Sequence, residues 1–77
     1  MNEQLQNFAR QTLMDGLEGL PSDWQRTFKL MYGRKNGKRS LEDTELMPIS
    51  EVVAEIPSEK LDLAMLQVEA SKRKLAV

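Results

Sequence analysis

Proton transfer, nucleophilic attack and metal binding each need particular side chains, and this chain is poor in all of them. It has no histidine and no cysteine, so neither a Ser-His-Asp nor a Cys-His nucleophile can be assembled. Disulfides and thiolate metal sites are excluded, and a structural zinc is not expected. General acid–base work would fall to Asp, Glu, Lys or the single Tyr32. Glu42, Asp43 and Glu45 lie close together but lack the alternating oxygen-ligand spacing and central glycine of a calcium loop, so they read as a solvated acidic loop. Gly16, Gly19, Gly33 and Gly37 match neither a phosphate-cradling loop nor a dinucleotide fingerprint. The expectation is a chain that is not an enzyme and takes no cofactor or metal.

Charge is where the sequence has structure. Arg26, Lys29, Arg34, Lys35, Lys38 and Arg39 follow one another with no acidic residue between Trp24 and Leu41, whereas Glu42, Asp43, Glu45, Glu51, Glu55, Glu59 and Asp62 are opposed only by Lys60. The formal net charge is −1, yet blocks of this size create local potentials able to steer a charged partner. Three readings follow: the blocks face each other within the monomer or across a dimer or are simply solvated, the basic block contacts phosphate or nucleic acid, or the blocks meet a charged protein surface.

The elements that would position these groups are helical. Leu5, Phe8, Ala9, Thr12, Leu13, Gly16, Leu17 and Leu20 keep the i, i+3, i+4, i+7 spacing of one amphipathic helix over about 3–18. Gly16 and Gly19 loosen its end and Pro21 stops it. Ser22 with Gln25 forms a capping-box pattern for a second helix over about 23–32, with Gly33 placed for a left-handed C-terminal turn. Its row Trp24, Phe28 and Met31 is expected to pack on the Phe8/Leu13/Leu17 stripe as a helical hairpin rather than to serve as a stacking platform. Residues 33–47 read as a basic and acidic loop, with Asn36-Gly37 as its turn. Ile49, Val52, Val53 and Ile56 mark a short helix over about 49–56, led by Pro48 and ended by Pro57. Ser58 caps a last helix over about 59–74.

That last helix is apolar on two sides. Leu61, Ala64, Met65, Val68 and Leu75 form one face, and Leu63, Leu66 and Ala70 fall almost opposite. Such a helix is normally buried between two neighbours; here the second could be internal, a homodimer seam or a foreign protein. The pair of helices around Pro57 has the apolar spacing of a helix-turn-helix, but its second helix opens with Glu59 and Asp62, which repel phosphate. The first two helices are better charged for that purpose, through Gln25, Arg26 and Lys29.

Seventy-seven residues beginning with Met suggest one domain and a complete small product. So short a chain buries a modest core, and self-association or a partner is the usual aid left to it. No signal peptide or membrane span is legible, which makes the cytoplasm the default location.

The segments LPSDWQRTFKLMYGRKN and MPISEVVAEIPSEKLDLAMLQVE, within residues 20–69, resemble stretches of small helical accessory proteins encoded by tailed bacteriophages and prophages. The resemblance implies a protein that binds host or phage machinery, and it brings no catalytic residues. The sequence thus predicts an all-α bundle of about four helices, one of them short, with a homodimer as one arrangement open to it. Leu63, Leu66 and Ala70 are expected to dock on a protein partner, with Arg34, Lys35, Lys38 and Arg39 setting orientation and on-rate. The alternative is a nucleic-acid-binding regulator using Arg26, Lys29, Arg34, Lys35, Lys38 and Arg39.

Overall fold

A computed structural model describes residues 2–76. The chain is all-α: α1 is Glu3–Glu18, α2 Ser22–Tyr32, α3 Leu41–Leu46, α4 Ile49–Glu55 and α5 Leu61–Ala76, with a 3-10 turn at Ser58–Lys60 ahead of α5. No β-strand occurs among the described residues.

α1 and α3 begin at a side-chain cap, whereas α2, α4 and the 3-10 turn start after Pro21, Pro48 and Pro57 without one, so the cap expected at Ser58 does not form. Asn2 Oδ1 accepts from the Leu5 N–H at 2.9 Å to open α1. Ser40 Oγ accepts from the Asp43 N–H at 3.0 Å to open α3, whose first turn carries Glu42 and Asp43. The segment 41–46 is therefore helix where a continuous loop over 33–47 was expected; the Ser-x-x-Asp spacing at Ser40 and Asp43 is the signal that marks it. The capping box expected at Ser22 does not form. Ser22 is already the first helical residue, Pro21 occupies the cap without a side-chain bond, and Gln25 Nε2 donates back to the Leu20 carbonyl at 3.0 Å.

The left-handed backbone also lies elsewhere than expected. Gly33 ends α2 with φ −92°, and the positive-φ residues are Lys35, Asn36 and Gly37, at 49°, 58° and 83°. Gly33 is required by space. A Cβ there would lie 2.8 Å from the Lys29 carbonyl oxygen, 3.1 Å from Thr44 Cγ2 and 3.3 Å from Val52 Cγ2. Residues 34–39 close into a tight turn, with Arg39 N–H donating to the Arg34 carbonyl at 3.1 Å.

The core consists of Ala9, Leu13, Leu17, Leu20, Phe28, Met47, Val52, Val53, Ile56, Leu61, Ala64 and Val68. Burying each of its larger aliphatic side chains contributes on the order of 1.5–3 kcal/mol. α1 packs on α5 and α4, while α2 packs on α3 and α4. The α1–α2 hairpin is thus corrected. Pro21 leaves α1 in an extended conformation and sends α2 away, so that Trp24, Phe28 and Met31 border a cleft with Gln67, Val68 and Ser71 of α5. The α1–α5 contact is close because Gly16 is bare: a Cβ there would sit 2.8 Å from Val68 Cγ1. Gly16 is therefore a packing notch rather than a loosened helix end.

The molecule is a plate, 35 × 29 × 16 Å. Helices packed in contact have axes about 8–10 Å apart, so 16 Å across the Cα atoms leaves room for two layers and no third. Every helix in such a plate keeps one side toward solvent. The double-sided α5 is accordingly covered on one side only.

Candidate protein-docking face

The two sides of α5 differ completely in exposure. Leu61 and Ala64 are 0 % exposed, and Val68 is buried. Leu63 is 53 % and Leu66 67 % exposed, with Ala70 also in solvent. A shallow groove beside this face is lined by Asp62, Met65, Leu66 and Glu69. The three apolar residues expected to meet a partner thus share one outward side. Leu75, expected on the inner side, is 45 % exposed because α5 outruns its neighbours in its last turn.

Charge on the same side is graded along the helix axis. Asp62 stands at the N-terminal end and Arg73 and Lys74 at the C-terminal end, a distribution that also matches the helix dipole. None of these three makes an ion pair among the described residues.

The basic segment is used differently. Arg26 Nη2 pairs with Glu45 Oε1 at 2.7 Å. Lys29 Nζ donates to the Glu45 and Met47 carbonyls at 2.6 and 3.1 Å, closing the C-terminus of α3. Arg39 is held by Glu55 through bonds of 2.9 and 3.3 Å and also donates to the Gly33 carbonyl at the end of α2. Lys35 Nζ lies 3.6 Å from Glu55 Oε1, and Arg34 Nε donates to the Arg39 carbonyl at 3.3 Å. The Arg39 guanidinium bonded to Glu55 holds that carboxyl below its ordinary value, with Lys35 adding to the effect, and Arg39 is raised in turn by the same bond. Of the six cations, only Lys38 has a side chain with neither a hydrogen bond nor an ion pair among the described residues; Lys29 and Arg34 meet backbone carbonyls, and Arg26, Lys35 and Arg39 meet carboxylates. Arg34, Lys35 and Arg39 therefore brace a turn.

Arg10 follows the same rule and was not singled out by the sequence. From α1 its Nη1 donates to the Val53 and Ile56 carbonyls at 2.6 and 2.9 Å, satisfying the C-terminus of α4. Tyr32, the one tyrosine, stacks near Phe28 at a centroid distance of 4.7 Å and donates to Gln67 Oε1 at 2.8 Å, which ties α2 to α5. Burial pushes its phenol above the usual value, away from proton exchange near neutral pH. The acidic residues of α3 are divided among the helix cap and Arg26, and no cluster of three metal-ligating side chains occurs among the described residues.

Three more exposed residues depart from expectation. Phe8 is 70 %, Leu5 56 % and Met31 55 % exposed. The buried stripe of α1 is the narrow row Ala9, Leu13, Gly16 and Leu17, from which Phe8 is turned by about 80° or more at the α-helical step. Among the described residues no helix is long and apolar enough to cross a membrane.

No family of known proteins matches this sequence, and neither a curated protein nor a solved structure is similar to the chain. The resemblance to phage accessory proteins therefore gains no support from these comparisons.

Proposed function

We propose that the chain is a non-enzymatic protein-binding module whose docking element is the outward side of α5. Leu63 and Leu66 are its anchors, and Ala70 is the small residue that allows close approach. The observation that carries this reading is the contrast within one helix: Leu61 is fully buried, while two residues on, and three further, leucines of the same size stand more than half in solvent. Covering each would contribute on the order of 1.5–3 kcal/mol, enough for a small face to hold a partner. On the resemblance noted above, that partner would belong to host or phage machinery. Electrostatic orientation falls to Asp62, Arg73 and Lys74, which make no ion pair among the described residues, rather than to Arg34, Lys35 and Arg39, which are engaged with their own chain.

Leu66→Glu places a charge at the centre of the face without touching the core. The wild-type chain, immobilised, is expected to retain a partner from lysate that the variant does not retain, while circular dichroism of the two coincides. Equal retention by both would refute the reading. The nucleic-acid alternative rests on Lys38 and on cations already hydrogen-bonded elsewhere; retardation of duplex or single-stranded probes at low salt, lost steeply as salt rises, would favour it instead.

A further inference from the structure

We infer that the occupant of the outward side of α5 is α5 of a second copy of this chain, lying antiparallel to the first across a two-fold axis. This rests on the reading of that side as a docking face, and it seats a second copy there in place of the foreign protein considered above.

The argument is self-complementarity. At the α-helical step, Asp62, Leu63, Leu66, Ala70, Arg73 and Lys74 fall within an arc of about 120°. Inverting α5 about the midpoint between Leu66 and Gln67 lays Leu63 against the partner's Ala70, large against small, and brings the two copies of Leu66 together at the axis. The same inversion sets Asp62 near the partner's Arg73, and Glu59, in the 3-10 turn just ahead, opposite the partner's Lys74. Both ends thus meet opposite charge, and each contact occurs twice, as an isologous interface requires. A parallel pairing would instead set Asp62 on Asp62 and Arg73 on Arg73. Among the described residues Asp62, Arg73 and Lys74 make no ion pair, which leaves them for this use.

Area permits it. A stable interface takes about 800 Å² from each copy, about one-seventh of the 5300 Å² of accessible surface, and the broad side of the plate measures 35 × 29 Å.

The test is a charge exchange on the full chain, read by sedimentation equilibrium. Asp62→Arg and Arg73→Asp each create two like-charge contacts in the dimer, and each alone is expected to raise the dissociation constant roughly ten-fold or more. Mixed one to one, the two variants restore opposite charges at both ends and recover near-wild-type association as a heterodimer. Because the chain has no cysteine, Leu66→Cys supplies an independent readout. It cross-links readily under mild oxidation, whereas Asp62→Cys does not, its two copies lying about 13 Å apart along the axis. A wild-type chain that remains monomeric at high concentration overturns the inference, as does a mixture no tighter than its components. Either result leaves the docking reading to be judged separately by the lysate retention of Leu66→Glu.

Discussion

The basic segment from Arg26 to Arg39 and the outward side of α5 are opposites. The first is rich in charge and looks, as a string of letters, like a surface waiting for phosphate. In the fold its cations are consumed: Lys29 and Arg39 close the ends of α3 and α2, and Arg26, Lys35 and Arg39 pair with Glu45 and Glu55. The second carries leucines that look like core, and it faces water with charges that make no ion pair among the described residues. In a small helical protein, helix C-termini are numerous relative to the chain length, and each leaves carbonyls in need of donors. Cations are recruited to such ends even from distant parts of the chain, as Arg10 is to the end of α4 and Lys29 to the end of α3. Availability, rather than abundance, distinguishes the two regions.

The sharpest way to test that contrast is within α5. Leu61→Ala removes a fully buried side chain and is expected to cost about 2–5 kcal/mol of unfolding free energy, measured by urea titration at low protein concentration. Leu66→Ala under the same conditions is expected to stay within about 0.5 kcal/mol of wild type. Similar losses for the two would mean that the outward side is core after all.

Next in size is Arg10→Ala. It strips donors from the Val53 and Ile56 carbonyls and is expected to cost about 1–3 kcal/mol, with amide exchange accelerating in α4 before α5. An unchanged stability would break the claim that cations here serve helix ends.

The smallest effect concerns Glu55. Its carboxyl is lowered in the folded chain, so its contribution is complete above the unfolded value of about 4.3 and is lost as pH falls through the lowered folded value. Glu55→Gln lacks that contribution. The stability gap between wild type and variant should therefore hold through neutral pH and close in acid, as followed by urea titrations at stepped pH. A gap independent of pH would show that the Arg39–Glu55 pair acts through packing alone.

Periodicity made much of the helical layout legible, because apolar rows at 3.6-residue spacing survive without knowledge of neighbours. α1, α4 and α5 lie where Leu13 and Leu17, Val52 and Val53, and Leu61 and Val68 imply. What periodicity cannot supply is which helix meets which. The direction in which Pro21 releases the chain separates α1 from α2, and no residue pattern records it. Phe8 misled for a related reason: it fits a broad stripe, but only the narrow row from Ala9 to Leu17 is covered once α5 and α4 are in place. α3 was readable and missed, since Ser40 and Asp43 carry an N-cap signature that the surrounding charges obscured. Within the candidate site, the wheel of α5 grouped Leu63, Leu66 and Ala70 from sequence alone. The fate of Arg34, Lys35 and Arg39 was not readable, because their acceptors are a carboxylate and backbone carbonyls brought near only by folding.

The thinness of the plate has a consequence for how the molecule would report on its own occupancy. With just two tiers of helices, the element that roofs the interior is also the one that greets a visitor, so no inert layer insulates ligation from folding. Seating anything against α5 turns an outer wall into a middle floor, and the melting temperature must then climb with the concentration of whatever sits there.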